Sequence, residues 1–156
     1  MPSIADAIQQ PKFESPQQRV LLNLLYTASK VKAASAKVLK PLGLTSQQFN
    51  ILRILQGQRG KPATVRLLSE RMLDPQSNAS RLVEKLVSKG LVARAMCHED
   101  RRQLRVSLTE AGVERLKAAS AAIEQAHASL GASMSPAELE ALSEQLDQFR
   151  EGVRHG

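Results

Sequence analysis

The sequence predicts a mainly α-helical chain that carries one small β-hairpin. Three observations predict it. Between residues 73 and 112 an apolar stripe at helical spacing gives way to two runs of β-prone residues. Long amphipathic segments lie on both sides of that stretch, each opened by a Ser or Thr suited to cap a helix. The 156 residues suit a single domain spanning 1–156, long enough for a hydrophobic core and short for an elaborate enzyme.

Residues 1–14 are polar and irregular and are expected to form a loosely held arm. Ser15-Pro16-Gln17-Gln18 reads as a capping box, with Ser15 as cap, Pro16 at the first helical position and Gln18 reaching back. The helix it opens runs to about Leu39, with Leu21, Leu24, Leu25, Ala28 and Val31 along one side, until Pro41 and Gly43 break it. Such a stripe exceeds what a small head can cover, so part of it is expected to meet another chain. Packing within its own subunit is the main alternative. Thr45-Ser46-Gln47-Gln48 is a second capping box, and the helix behind it presents Phe49, Leu52, Ile54 and Leu55 and ends near 57–60. Residues 62–64 can supply a short edge strand, and Thr64 can cap a helix over 65–72.

A further helix is expected to start with Asp74 as cap and Pro75 at its first position. Its stripe is Ala79, Leu82, Val83, Leu86 and Val87, against which Leu67, Leu68 and Met72 should bury, and Gly90 ends it. Gln76, Ser77, Asn78, Ser80, Arg81, Glu84 and Lys85 fall mostly off the stripe and leave a short, polar, partly basic outer face. Strands follow at 91–96 and 103–109, the second with Leu104, Val106 and Leu108 on one side, around the charged tip His98-Glu99-Asp100-Arg101-Arg102. Thr109 then caps a helix with Val113, Leu116, Ile123 and Leu130 at helical spacing. Ser135-Pro136-Ala137-Glu138 is a third capping box, and Leu139, Leu142, Leu146 and Phe149 make the last stripe. Helices 65–72 and 74 onward form a helix-turn-helix pair, and the arginine-tipped hairpin behind them looks like a wing.

The runs SRLVEKLVSKGLVAR (80–94), DRR (100–102) and VSLTEAG (106–112) occur in an order and spacing that resemble the MarR family of bacterial winged helix-turn-helix repressors. The likeness extends through compatible flanking helices over nearly the whole chain. It implies a winged helix-turn-helix head at 45–112 with dimerisation helices at 15–40 and 113–153. A homodimer of such chains would bind a near-palindromic operator in double-stranded DNA. On the reading helix, Ser77, Asn78, Ser80 and Arg81 suit base edges and phosphates, since Arg can bridge guanine O6 and N7 and Asn can pair with adenine. Lys85, a turn later, suits a phosphate; Arg94 and Arg101 complete the basic set. In the family an Asp-x-Arg wing motif, here Asp100 and Arg102, sends the arginine into the minor groove while the aspartate holds it. An ordinary solvated face and a plain charged hairpin tip are the rival readings of these residues. The resemblance also implies release from DNA by a small, often aromatic, acid bound between head and dimer helices. The sequence locates no such site, because Phe13, Tyr26 and Phe49 suit a core as well as a pocket wall.

The net charge of +7 is unevenly placed: +4 over residues 1–44, +6 over 45–112 and −3 over 113–156. The excess therefore sits on the proposed head and the helix before it, which favours a polyanion and, with a groove-sized helix, duplex DNA. No run of 18 apolar residues and no signal-peptide pattern occurs, so a cytoplasmic protein without membrane association is expected. The chain has no phosphate-cradling glycine motif, nucleophile elbow or paired-ligand spacing, so neither an enzyme nor a cofactor is expected. His98, His127 and His155 are read as solvated rather than as metal ligands. Cys97, with Arg94, Arg101 and Arg102 nearby, could have a lowered thiol pKa. The peroxide-sensing relatives carry their cysteine near the start of the first long helix, where this chain has none, and an unremarkable strand cysteine is expected. A DNA-free adaptor on the same fold, binding a ligand or a protein, is the alternative function.

Overall fold

The computed structural model describes residues 2–153; His155 lies outside them. In chain order the elements are α1 (Ile4–Ala7), α2 (Pro16–Leu39), a 3-10 turn (Lys40–Leu42), α3 (Ser46–Gly57), β1 (Ala63–Thr64), α4 (Val65–Arg71), α5 (Ala79–Ser88), β2 (Val92–Met96), β3 (Leu104–Leu108), α6 (Glu110–His127) and α7 (Pro136–Glu151). The chain forms two compact units, divided between Ala126 and His127.

The first unit is a winged helix-turn-helix with a three-stranded antiparallel sheet in the order β1-β3-β2. Ala63 pairs with Val106, and Val92 to Met96 pair with Leu108 to Leu104. One core ties helices to sheet: Leu39, Ile51, Leu52, Leu68, Leu86, Leu91, Val106 and Leu116 are fully buried within it. The stripe of α5 behaves as its spacing predicts, with Ala79, Val83 and Leu86 buried and Leu82 and Val87 partly so. Gly90 follows α5 at φ +71°, a left-handed conformation that costs glycine nothing, and so turns the chain directly into the sheet.

The second capping box forms as expected, with the Thr45 hydroxyl accepting from Gln48 N–H and the Gln48 carboxamide from Thr45 N–H. Thr64 caps α4 by accepting from Leu67 N–H at 3.1 Å. Thr109 accepts from Gly112 N–H at 3.0 Å and donates to the Gly90 carbonyl at 2.6 Å. One side chain thus starts α6 and ties it to the end of α5.

Five details depart from the sequence expectations. Residues 1–14 are not wholly irregular: Ser3 and Asp6 close a capping box on α1, and Ile4 is buried. Gln18 reaches back to Glu14 N–H rather than to Ser15, so the box at α2 is half made. Helix α5 starts four residues later than Asp74 suggested, because Asp74 closes its own turn. Its carboxylate accepts from Gln76 N–H and its carbonyl from Ser77 N–H, while Asn78 caps α5. Leu104 lies 40% exposed near the hairpin tip, although Val106 on the same side is buried. Leu130 falls outside α6, which ends at His127 and gives way to turns around Gly131, at φ +67°.

The second unit contains α7. Its capping box is complete, since the Ser135 hydroxyl accepts from Glu138 N–H at 3.3 Å and the Glu138 carboxylate accepts from Ser135 N–H at 2.7 Å. No residue of α7 is buried, and Leu139 and Leu142 are each 42% exposed. The predicted stripe of α2 is open at Leu21, Leu24 and Leu25 and half-buried at Ala28 and Val31, and Val20 beside it is exposed too.

Candidate nucleic-acid interface

The interface is built on α5, whose buried stripe fixes which way its other face points. Ser80, Arg81 and Lys85 are exposed, and so is Asn78 at its start. Asn78 has a local task, because its Oδ1 accepts from Arg81 N–H at 3.0 Å. Its amide nitrogen stays available for a base edge, while its oxygen is committed to the cap. Ser77 is half-buried, and its hydroxyl oxygen is enclosed with no hydrogen-bond partner among the described residues. Of the helix candidates, Ser80, Arg81 and Lys85 are the freest to reach a duplex.

The turn leading into α5 is held from outside. Leu73 N–H donates to Asn50 Oδ1 on α3 at 2.9 Å. The far end of α5 is held too: Lys89 donates to the Gly43 carbonyl and, at 3.1 Å, to the Gln48 carboxamide. Arg115 of α6 donates to the neighbouring Leu42 carbonyl at 2.6 Å. Two cations therefore grip the carbonyl end of the 3-10 turn, where partial negative charge collects. Asn50, Lys89 and Arg115 escaped the sequence reading. They act on residues 23 to 73 positions away, and no local spacing encodes that.

The wing brings Arg94, Asp100, Arg101 and Arg102 to the surface, all exposed. Asp100 does not grip the Arg102 guanidinium. Its carboxylate accepts from the Arg102 backbone N–H at 3.0 Å, and its carbonyl accepts from Gln103 N–H. An aspartate two residues ahead reaches the main chain more easily than the end of a long side chain. Asp100 thus fixes the backbone of the turn at Arg102, whose side chain is exposed.

Cys97 is buried at the base of the wing, its N–H on the Gln103 carbonyl at 3.1 Å. The backbone N–H groups of Asp100 and Glu99 stabilise its thiolate and bring its pKa below the ordinary thiol value, with burial opposing and Arg105 assisting. The cation at the thiol is Arg105 of β3, not the Arg94, Arg101 or Arg102 that sequence proximity suggested. Among the described residues no three His, Cys, Asp or Glu side chains gather as metal ligands. No described helix is long and apolar enough to cross a membrane. Phe49 packs against the core, and Phe13 lines an open cleft of about 700 Å³ with Pro16, Arg19 and Val20.

Residues 42–103 match the family model described as MarR family. The transcriptional repressor MprA of Escherichia coli K12 is 32% identical over 104 residues, a stretch covering 65% of this chain and 59% of that protein. The crystal structure of a MarR transcription factor from Planctomyces limnophilus is similar at 29% identity and TM-score 0.67, over 88% of this chain and 99% of that one. CouR from Rhodococcus jostii RHA1, crystallised with p-coumaroyl-CoA, shares the fold at TM-score 0.73 and 20% identity, over 92% and 100% of the two chains. The segment that matches the MarR family model spans the 3-10 turn, the helix-turn-helix and the wing tip just described.

Proposed function

We propose that this chain is a sequence-specific, duplex-DNA-binding transcription regulator that acts as a homodimeric repressor. The observation that carries the proposal is the pairing of two exposed basic features on one core. These are α5, buried on one face and offering Ser80, Arg81 and Lys85 on the other, and a wing ending in Arg101 and Arg102. A helix of this kind fits the major groove, and an arginine on a narrow hairpin suits the adjacent minor groove. Supporting the dimer are the apolar residues left open on α2 and, separately, on α7, whose leucines need cover that a lone chain does not supply. The regions 15–40 and 113–153 are the proposed dimerisation helices, and 45–112 the reading head of a single functional domain. A small organic effector is proposed to lower operator affinity, by analogy with the relative that carries p-coumaroyl-CoA. The proposed protein is cytoplasmic and performs no catalysis.

The test is binding of the full chain to duplex fragments from upstream of its own gene, against scrambled duplexes of equal length, over a range of stated salt concentrations. The proposal expects a preference of at least about a thousandfold for one fragment. Equal affinity for all duplexes, or none, supports the DNA-free adaptor instead.

A further inference from the structure

Among the described residues, the most exposed large apolar side chain stands in the turn that feeds the reading helix. Leu73 is 89% exposed, while Met72 beside it is buried and Leu68 of the preceding helix fully so. A lone exposed leucine on a mobile loop needs no explanation. This one sits on a fixed backbone. Leu73 N–H is anchored to Asn50 Oδ1 on α3 at 2.9 Å, and residues 74–77 close on themselves through both oxygen acceptors of Asp74. The anchor holds the main chain and leaves the isobutyl group projecting outward. Leu73 is five residues before Asn78, the cap of α5, at the end of the helix whose first residues approach base edges in this motif. Its surroundings in sequence are polar or charged: Arg71, Asp74, Gln76 and Ser77.

Duplex DNA offers one apolar group in the major groove, the C5-methyl of thymine. We propose that Leu73 is a specificity-determining residue that reads a thymine methyl flanking the bases addressed by α5. The inference rests on the DNA-reading function proposed above and adds an apolar contact to its polar ones. The fixed backbone matters to this role. A leucine already held in place loses little freedom on contact, so even one methyl group's burial can discriminate.

The test starts with selection of preferred duplexes from a random pool by the full chain. Each thymine of the selected operator is then replaced by deoxyuridine, which removes only the methyl group. One thymine per half-site should weaken the parent protein about fourfold on losing its methyl, the equivalent of one buried methyl group. Leu73→Ala should bind the thymine operator about three- to tenfold more weakly, bind random duplex unchanged, and show no response to deoxyuridine at that position. Because the side chain is exposed, the variant should keep the parent's melting temperature and solution mass. A parent that selects no sequence overturns the DNA-reading function and this inference together. A parent that selects an operator but responds to no thymine methyl, or a Leu73→Ala variant that keeps the response, overturns this inference alone. So does a Leu73→Ala variant of altered solution mass, which would assign the side chain to a contact between chains.

Discussion

Replacing Gly112 by alanine tests the packing of α6 against the sheet, because two physical effects predict opposite signs. Gly112 is the third residue of α6, where alanine ordinarily gains up to about 1 kcal/mol in helix propensity. A Cβ at this position, however, would lie 1.9 Å from the Leu91 carbonyl oxygen and 3.3 Å from Leu108 Cδ2. Contacts under 3.0 Å essentially do not occur, so α6 and the entry to β2 would have to separate by more than 1 Å. That oxygen already accepts from Thr109 N–H at 3.1 Å, and the Gly112 N–H donates to the Thr109 hydroxyl at 3.0 Å. Overpacking costs about 1–3 kcal/mol, and a hydrogen bond lost in the movement costs about 1 kcal/mol. Set against the propensity gain, the net loss is about 2 kcal/mol, or roughly 6 °C in melting temperature for a chain of this size. Gly57 is the matched control, since nothing lies within 4 Å of its built Cβ and its φ is not left-handed. Gly57→Ala should raise the melting temperature by about 2 °C. Thermal unfolding followed by far-ultraviolet circular dichroism reads both changes. A Gly112→Ala protein that melts at or above the parent would refute the reasoning.

Arg102→Ala should abolish most operator binding while leaving the melting temperature unchanged, since an exposed tip adds little to folding; gel-shift titration beside a melt separates the two. Asp100→Ala should weaken binding less and leave a floppier tip, read as faster hydrogen exchange at the Arg102 and Gln103 amides, whose acceptors lie on Asp100. Arg81→Ala should cost about 1–3 kcal/mol on the preferred operator and less on random DNA, whereas Lys85→Ala should weaken both alike and lower the salt slope by about one. Equal losses for the two variants on both duplexes would show the roles to be misassigned. Glu138 accepts from both Ser135 donors, which hold its carboxyl below the ordinary glutamate value. The ionised form therefore supports the start of α7 above the unfolded-state pKa, and that support disappears as pH falls through the lower folded value. Carboxyl titration by NMR should show a depressed midpoint for Glu138, and Ser135→Ala, which removes the hydroxyl donor but keeps the backbone N–H, should raise it only part of the way to the ordinary value.

The fold was legible where short-range chemistry decides it. Thr45, Thr64 and Ser135 each cap the helix their spacing announced, and α5 buries the stripe counted from its sequence. The errors arose where two local choices compete. Asp74 followed by Pro75 is as good a start for a helix as for a closed turn, and the anchor that favours the turn comes from Asn50, 23 residues away. Asp100 was assigned to the right partner residue and the wrong atom, because sequence gives spacing but not which group a carboxylate meets first. Long-range cations were invisible for the same reason: Lys89, Arg115 and Arg105 act across elements that only the fold brings together. The exposed stripe of α2 is the opposite case, since the sequence signalled more apolar surface than one head can cover, and Leu21, Leu24 and Leu25 indeed lie open.

The central claim is that two copies of α5 and its wing read one duplex together. Hydroxyl-radical footprinting of the full chain on its selected operator tests this most directly. The account predicts two protected patches related by a two-fold axis and centred roughly 34–36 Å apart, with Arg102→Ala erasing the outermost minor-groove protection in each patch. A single unpaired patch, or uniform protection along the duplex, would contradict it.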